Sequence, residues 1–383
     1  MEKKFKNLDK VINRVLTAIA NKEKIILYGD SDPDGVSSVI IFKEAIEALG
    51  GKINAFFFPD REKEGYGINK TALNILKSKA PALFIVFDCG LGNIEEVDMA
   101  KKMGFEVIII DHHEPLPKKP NASLIINPKQ KGDLYPFKTF ACAGVVYKIA
   151  KALLSSAGKK HKLESFLELV AIATISDQMP IEADNKKLIN DGLLSLNLTE
   201  RPALKALIKL TKYTGNGIDE IRQKIVPPLN ASNAKDHLND AFIFLIEKNK
   251  GKAEKLARLL MKKQEIRKKE IKRINEETEF KIASSEESII FEGDKSWPLV
   301  LLGPVGSKVC QKHNKPVFLY RHLKKESPGA VRTPIGCDGV KAMVSCRKYL
   351  GIYGGHPKAA GFRLKNENLK DFKKCLIKYF KNN

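Results

Sequence analysis

Short, nearly continuous apolar segments alternate with helical patterns over the first 130 residues of the sequence. The apolar segments are KIILYGD, INAFFFPD, ALFIVFDCG, FEVIIIDHH and SLIINP. Apolar runs that are separated by amphipathic helices are typical of a parallel sheet covered on both faces. The connections between such strands are almost always right-handed. We therefore predict a doubly wound α/β domain with a parallel sheet.

The pattern turns mostly helical between residues 140 and 249, and residues 251–283 form one lysine-rich helical stretch. This stretch contains no proline, and no glycine after its first residue. A long helix that is polar on most of its surface often connects two domains. Its positive charge fits a solvated surface helix and equally a basic surface for a phosphate backbone.

Strand-like segments return after this helix, namely SIIFEG, PLVLLG and PVFLY. They indicate a second, smaller α/β domain in the C-terminal part of the chain. The predicted organisation is an N-terminal domain at residues 1–250, a connecting helix at 251–283 and a C-terminal domain at 284–383.

The charge balance points to a polyanionic partner. The chain has 67 Lys and Arg against 45 Asp and Glu, which gives a formal net charge of +22. Nucleic acid is the first candidate for a protein this basic, although an organism with a lysine-rich proteome would give the same numbers. With 43% hydrophobic residues in 383, the chain is long and apolar enough for two globular domains.

The sequence favours a cytoplasmic protein. No apolar run is long enough to span a membrane, and no apolar stretch follows the charged start MEKKFKNLDK, so we expect no membrane segment and no secretory signal. The six cysteines are scattered without a close pair. This spacing argues against a disulfide framework or a zinc site and favours a reducing compartment.

Three of the predicted strands end in side chains that can bind cations. These side chains are Asp30, Asp32, Asp34, Asp88, Asp111, His112 and His113. Since the carboxyl ends of parallel strands meet at one edge of a sheet, we expect these residues to lie together. One aspartate after a strand is usually a helix N-cap. Three at alternate positions repel one another, however, unless a cation lies between them.

The mixture of carboxylates and imidazoles, without thiolates, favours Mn²⁺ or Mg²⁺. Several carboxylates at one edge can hold two ions, which is an arrangement used for phosphoester hydrolysis. We predict that His112 ligates an ion, that Asp111 orients a ring, and that His113 faces the substrate. A packing role for His113, with a hydrogen bond to the backbone, is the alternative.

The ordered motifs resemble those of a known family. GDSDPDGVSS, FDCG, DHHEP and TISDQMP are similar, in this order, to the four signature motifs of the DHH phosphoesterases. YGGHPKAAGF resembles the signature of the DHH-associated C-terminal domain. Within the superfamily, FPDREKEGYGIN and LNLTERPALKAL are similar to stretches of RecJ-type exonucleases. The resemblance extends from about Lys24 to Phe362 and implies the two-domain α/β fold of that family.

The resemblance implies roles for the matching residues in a centre of two Mn²⁺ or Mg²⁺ ions. Asp88 would bridge the ions, and His113 would contact the scissile phosphate. The implied metal ligands are Asp32, Asp34, Asp88, His112 and Asp177, with Asp30, Asp111 and His113 as further catalytic residues. In the C-terminal domain, which closes over the site in this family, the implied substrate-binding residues are Arg332, Gly354, Gly355 and His356. Paired glycines let a backbone approach a phosphate, and arginine binds one bidentately.

The sequence departs from the family pattern at several positions. Tyr28 occupies a position where many DHH proteins have a histidine, and we expect Asp30 to compensate. The stretch NASNAK at 230–235 lacks the arginine that RecJ proteins usually carry there, and Ala330 stands where serine is common. The chain also ends soon after the C-terminal domain, so we expect a compact form without the additional OB-fold of longer bacterial RecJ proteins.

The implied function is a metal-dependent exonuclease specific for single strands. Degradation of DNA from the 5′ end to mononucleotides, in repair or recombination, is the favoured form, with single-stranded nucleic acid as partner and repair or replication proteins as further partners. The alternatives are a compact enzyme that acts from the 3′ end or on RNA, a phosphodiesterase for short oligonucleotides or cyclic dinucleotides, and an inactive scaffold. Retention of Asp32, Asp34, Asp88, His112 and Asp177 argues against the scaffold.

Overall fold

The computed structural model describes residues 4–159, 163–283 and 287–382. The chain divides into two compact units, Met1–Gln264 (unit 1) and Glu265–Asn383 (unit 2). Within the described ranges, no helix combines the length and the apolar character that crossing a membrane requires.

Unit 1 is built on a five-stranded sheet in which all neighbouring strands are parallel. In chain order the strands are β1 (Ile25–Gly29), β2 (Ala55–Phe57), β3 (Ala82–Phe87), β4 (Phe105–Ile110) and β5 (Leu124–Ile126). Their order in the sheet is β2-β1-β3-β4-β5. The order in which strands are added to the sheet therefore reverses between β1 and β3. The predicted doubly wound α/β class is confirmed.

Helices cover both faces of this sheet because successive strand residues point to opposite sides. Leu27 and Ile85 belong to one buried cluster, and Ile26 and Phe84 belong to the other. The helices of unit 1 are α1 (Leu8–Ala20), α2 (Pro33–Ala48), α3 (Lys70–Leu76), α4 (Ile94–Lys102), α5 (Cys142–Ser156), α6 (Glu164–Ser176), α7 (Ala183–Asn197), α8 (Pro202–Thr211), α9 (Ile218–Glu220), α10 (Val226–Asn230) and α11 (Asp240–Ile246). Helices α2, α5 and α6 cover the first face, whereas α3 and α4 cover the second.

The region that was predicted to be mostly helical contains one short hairpin. Its strands are β6 (Ala234–Lys235) and β7 (Leu238–Asn239), and it follows a π-helical turn at Ile221–Ile225. The long predicted helix is α12 (Lys250–Ile282), which runs from unit 1 into unit 2.

Unit 2 contains a second five-stranded sheet, with the order β11-β12-β10-β9-β8. Its elements are β8 (Ile290–Asp294), α13 (Leu299–His313), β9 (Val317–Arg321), β10 (Glu326–Arg332), α14 (Gly339–Ser345), β11 (Ile352–His356), β12 (Ala359–Lys365) and α15 (Leu369–Asn382). Strands β8 and β9 are parallel, and the other neighbouring pairs are antiparallel.

The strand predicted at PLVLLG is wrong, because this segment begins helix α13. A short apolar run fits a strand or a buried turn of helix, and its length alone does not decide. The residues that follow do decide, since Leu301, Val305 and Val309 repeat at the helical spacing of four and are all buried.

The cysteine spacing argues against a disulfide framework, but it does not reveal one disulfide that is present in unit 2. Cys346 and Cys375 form a disulfide in unit 2, although 29 positions separate them in sequence. Cys346 directly follows α14, and Cys375 lies on α15, which packs against α14. Tertiary packing of two helices, which cysteine spacing does not reveal, brings the two residues together.

Candidate functional site

The site in unit 1 starts from three aspartates that directly follow central strands. Asp30 follows β1, Asp88 follows the last residue of β3, and Asp111 follows β4. The backbone N–H of each donates across to the next strand, to the carbonyl oxygens of Phe87 (3.2 Å), Ile110 (3.0 Å) and Ile126 (3.0 Å), respectively. The carboxylates are therefore held in register by the sheet, and the predicted convergence at one edge is observed.

Asp88 has an unusual backbone conformation, with φ at +61°. A positive φ is uncommon outside glycine, and aspartate and asparagine tolerate it better than most residues. This conformation turns the chain sharply after β3.

The turn after β1 adds two more carboxylates. Asp32 is the N-cap of α2, and its Oδ1 accepts hydrogen bonds from the backbone N–H groups of Asp34 and Gly35, both at 3.0 Å. Gly35 is required here, since a Cβ would overlap the backbone of Asp30. Asp34 is buried, and its two oxygens accept from the N–H groups of Cys142 and Ala143 at the start of α5, both at 2.7 Å.

His112 lies among three of these carboxylates. Its Nε2 is 3.1 Å from Asp88 Oδ1, 3.5 Å from Asp177 Oδ2 and 3.7 Å from Asp34 Oδ2. Its Nδ1 lies 2.8 Å from the carbonyl oxygen of Phe140. A carbonyl only accepts, so Nδ1 carries the proton and the lone pair of the neutral ring is on Nε2. A lone pair that faces carboxylates is the arrangement of a cation-binding group.

Electrostatics at the site also fit a divalent cation. Burial first, and then repulsion from neighbouring carboxylates, raises the pKa of Asp34 and Asp88 well above the ordinary value. The same causes raise the pKa of Asp177 to about 7. Its Oδ2 is buried and accepts no hydrogen bond from the described residues. Oxygen and nitrogen atoms of Asp34, His112 and Asp177 lie within 4.8 Å of one another, which is suitable for one ion.

A second group of ligand atoms is formed by Asp30, Asp32 and Asp88, again within 4.8 Å of one another. Arg61 contacts this group. Its Nε donates to Asp30 Oδ1 at 2.6 Å, and its Nη2 contacts Asp30 Oδ2 and donates to Asp32 Oδ2 at 3.0 Å. The sequence prediction that Asp30 serves the metal centre is thus complicated by an arginine that already binds it.

Asp111 contacts the neighbouring histidine. Its Oδ1 accepts from the backbone N–H groups of His112 and His113 and lies 2.8 Å from His113 Nδ1. Burial alone would lower the pKa of His113, but the Asp111 carboxylate raises it to about 9. Burial alone would raise the pKa of Asp111, but the interaction with His113 lowers it. Tyr66 completes this corner, because its hydroxyl donates to the carbonyl of Asp88 at 2.7 Å.

Sequence reasoning assigned no role to Arg61 or Tyr66. Both lie in the segment FPDREKEGYGIN, which follows β2. The rule that placed the aspartates, that strand carboxyl ends meet at one edge, applies to β2 as well. It could have directed attention to this loop, whose residues carry no metal-ligating motif.

Two of the positions that depart from the family pattern have defined contacts in the structure. Tyr28 points into the core on the other face of the sheet, where it stacks on Phe57 and donates to the carbonyl of Gly67 at 2.7 Å. It is a packing residue and contributes no ligand. Asn230 ends α10 and donates to Ser176 Oγ at 3.3 Å.

The four predicted substrate-binding residues lie together at one end of the sheet of unit 2. Arg332 ends β10 opposite Ala359, and His356 ends β11 opposite the same residue. Arg332 donates to Ser307 Oγ (3.0 Å) and to the carbonyl of Val331 (2.8 Å), and no carboxylate among the described residues pairs with it. Burial lowers its pKa to about 10, so it is positive at neutral pH.

The two glycines before His356 differ. Gly355 has φ at +133°, and a Cβ there would lie 2.6 Å from the Ala359 carbonyl oxygen. A Cβ on Gly354 would meet no atom within 4 Å. Gly355 is therefore required by the backbone, whereas Gly354 leaves open space beside the strand.

Comparisons with known proteins agree with this architecture. Residues 24–174 match the model of the DHH family, N-terminal domain. The chain is 33% identical over 381 residues to the single-stranded-DNA-specific exonuclease RecJ of Bacillus subtilis, in an alignment that covers 97% of this chain and 47% of that protein. It spans about half the length of the curated RecJ proteins of Bacillus subtilis and Thermus thermophilus.

Two solved structures are similar over almost the whole chain. One is RecJ in complex with Mn²⁺ from Thermus thermophilus (TM-score 0.85, 25% identity, 99% of this chain and 55% of that chain), which has also been solved with Mg²⁺. The other is exonuclease RecJ bound to manganese (TM-score 0.81, 27% identity, 98% of this chain and 95% of that chain).

Residues 24–174, which contain the doubly wound sheet with these aspartates and histidines at its edge, match the DHH family model. Along most of its length the chain is related to RecJ. The predicted resemblance is thereby confirmed. The predicted Mn²⁺ or Mg²⁺ is supported by the ions in the related structures and by the ligand groups described above.

Proposed function

We propose that the protein is a metal-dependent exonuclease of the RecJ type that hydrolyses the terminal phosphodiester of single-stranded nucleic acid. The observation that carries this proposal is a pair of adjacent ligand groups. One consists of Asp34, His112 and Asp177, and the other of Asp30, Asp32 and Asp88. Asp88 Oδ1 lies 3.1 Å from His112 Nε2 of the first group. Ligands arranged in this way suit two divalent ions. DNA as substrate and attack from the 5′ end are the favoured form.

The metal ligands would be Asp32, Asp34, Asp88, His112 and Asp177, with Asp30 at the edge of the second group. When bound, Mn²⁺ or Mg²⁺ supplies a Lewis acid that neutralises phosphoryl oxygens and lowers the pKa of water. The residues themselves must stay deprotonated to bind it. The hydrogen bond from His112 Nδ1 to Phe140 fixes the ring so that Nε2 faces the site.

His113 is suited to contact the phosphate. Asp111 holds its ring by Nδ1 and keeps it protonated at neutral pH, so that the ring carries an N–H at Nε2 as well. A positioned cationic donor stabilises the charge that develops on phosphoryl oxygens during hydrolysis. Tyr66 holds the same corner through the carbonyl of Asp88 and its contact to the His113 ring at 3.3 Å.

Unit 2 would supply further phosphate contacts. Arg332 offers a guanidinium without a carboxylate partner among the described residues, Gly354 offers backbone in open space, and His356 offers an imidazole. The net charge of +22 adds attraction for any phosphate backbone, so binding should weaken steeply with salt. An affinity for single strands that is insensitive to salt would contradict this part.

The first experiment uses purified protein, Mn²⁺ and single-stranded DNA labelled at one end or the other. Immediate release of mononucleotide from the 5′ label, with no release by Asp88→Asn, is the expected result. Early release from the 3′ label would show that the enzyme degrades from the 3′ end by the same metal-dependent hydrolysis. Faster cleavage of dinucleotides than of long strands would make it an oligonucleotide phosphodiesterase. Equal rates on blunt duplex would contradict single-strand specificity, and no cleavage of DNA, RNA or dinucleotides would overturn the proposal.

A further inference from the structure

The carboxylates of Asp30 and Asp32 already have a cationic partner within unit 1. Arg61 bridges them, with Nε 2.6 Å from Asp30 Oδ1 and Nη2 3.0 Å from Asp32 Oδ2. The Asp30 side chain is 1% exposed, and among the described residues its charge is compensated at short range by this guanidinium and by the backbone N–H of Ser31. A fork of two parallel hydrogen bonds to a buried carboxylate is among the stronger polar contacts of proteins.

The other ligand group lacks such a partner. Within the described ranges, the carboxylates of Asp34 and Asp177 lie at ion-pair distance from no lysine or arginine side chain. The two candidate ion positions are thus unequal. At one position the carboxylates have no lysine or arginine counter-ion among the described residues. The other position is compensated by an arginine that carries one positive charge where an ion would carry two.

We propose that Arg61 is an internal counter-ion of the Asp30–Asp32–Asp88 position, so that a second divalent ion binds there only after it displaces the guanidinium. The first ion binds at Asp34, His112 and Asp177 without this competition. Ion binding is therefore sequential, with a tight first ion and a weaker second one. This inference rests on the metal centre of the proposed function and makes Arg61 a positioning residue.

The loop around Arg61 allows the side chain to leave without moving the backbone. Its turn is held by other contacts, from Glu62 N to Asp60 Oδ1 (3.0 Å), from Asp60 N to Glu64 Oε2 (2.8 Å) and from Lys63 N to the Asp60 carbonyl (3.0 Å). The Arg61 side chain is 33% exposed, and its guanidinium carbon already lies 5.8 Å from the centre of the Tyr66 ring. A cation–π contact with this ring is available to the displaced guanidinium.

The test is a titration of the full chain with Mn²⁺, in which the electron paramagnetic resonance signal of free Mn²⁺ measures binding without any substrate. Wild type should show one tight and one weaker ion. Arg61→Gln should tighten the second ion about tenfold, on the scale of one charge-assisted hydrogen bond, and leave the first unchanged. Arg61→Lys keeps the charge but loses the two parallel hydrogen bonds, so it should tighten binding of the second ion by less than Arg61→Gln does.

Arg14→Gln is the matched control. Arg14 also bridges two carboxylates of unit 1, those of Glu23 (2.6 Å) and Glu106 (2.8 Å), but these lie near the amino ends of β1 and β4. Its loss should change neither affinity. An unchanged or weaker second ion in both Arg61 variants, or equal affinity for two ions in wild type, would overturn the inference and leave the proposed function standing. No binding of Mn²⁺ by wild type would overturn both.

Discussion

Unit 1 and unit 2 both gather charged groups at one end of a sheet, but the two sets differ in sign and in what balances them. In unit 1, Asp34, Asp88 and Asp177 are acids whose pKa values burial and mutual repulsion raise. In unit 2, Arg332 is a half-buried cation that pairs with no carboxylate of the described residues. The site in unit 1 therefore has carboxylates in excess, whereas the residues at the sheet end of unit 2 include an arginine without a carboxylate partner among the described residues.

The difference indicates what each unit binds. Buried carboxylates in excess are stabilised by divalent cations, whereas an unpaired guanidinium beside open backbone is stabilised by an anion such as phosphate. A phosphodiester with its metal ions offers both kinds of charge. The comparison predicts that changes in unit 1 alter ion binding, and that changes in unit 2 alter substrate contacts without altering ion binding.

The largest effect should come from Asp88→Asn, which removes a charge of the second ligand group that also lies 3.1 Å from His112 Nε2 of the first. We expect the rate of cleavage of single-stranded DNA to fall by roughly 10³-fold or more, because the ions supply several kcal/mol of stabilisation to the transition state. Initial rates in Mn²⁺ and Mn²⁺ affinity are measured together. Full activity in this variant would break the assignment of metal binding to unit 1.

Arg332→Ala tests the other side of the comparison. We expect about a 10²-fold loss in cleavage rate, the scale seen when one preorganised phosphate or oxyanion donor is removed. Mn²⁺ affinity should stay at the wild-type value, and this contrast with Asp88→Asn is the decisive measurement. Weakened Mn²⁺ binding by Arg332→Ala would show that the two units do not divide the work in this way.

The third prediction concerns pH and metal together. In the protein without metal, the pKa of Asp177 rises from 3.8 to about 7, so the folded state binds protons more tightly than the unfolded state. The stability of the metal-free protein should therefore fall as the pH rises from 4 to 7. The raised pKa of His113 extends this loss of stability towards pH 9. Mn²⁺ at about 100 times its Kd should restore about 2.7 kcal/mol at pH 7.5.

Urea unfolding at pH 5.5 and 7.5, followed by circular dichroism, measures this effect. The fluorescence of Trp297, the single tryptophan of the sequence, reports on unit 2 and provides an internal control that we expect to shift little. Stability that rises with pH in the absence of metal would contradict the electrostatic account of unit 1.

The smallest effect separates the two glycines of unit 2. Gly355→Ala should lower the free energy of unfolding of unit 2 by about 1–3 kcal/mol, because φ is +133° there. Gly354→Ala should leave stability within about 0.5 kcal/mol of wild type, since its Cβ meets no atom within 4 Å, and should weaken only substrate binding. Unfolding curves from Trp297 fluorescence and Kd values for single strands distinguish these outcomes. Equal destabilisation by both changes would refute the distinction.

The cluster of aspartates at the edge of the parallel sheet could be predicted because it depends only on the sequence around each strand. Asp30, Asp88 and Asp111 each follow an apolar run, and a parallel sheet brings such positions together without any knowledge of distant contacts. The same alternation of apolar runs and helices predicted the fold of unit 1. The assigned roles of the individual ligands remain predictions.

Features that depend on tertiary packing could not be read from the sequence. The hydrogen bonds from Arg61 to Asp30 form only because the loop after β2 folds back over the end of β1. The pairing of Cys346 with Cys375 depends on two helices of unit 2. Both escape an analysis of periodicity, which assigns elements and not their neighbours.

The left-handed backbone at Asp88 determines how mutations of this residue should be interpreted. Alanine at φ +61° introduces strain that is unrelated to charge, so an inactive Asp88→Ala protein would leave ligand loss and local misfolding confounded. Asparagine is one of the few residues that accept this conformation, and the substitution by asparagine removes the charge. For this position the amide, and not the usual alanine, is the informative replacement, and alanine scanning of the site would overstate the catalytic importance of Asp88 relative to its neighbours.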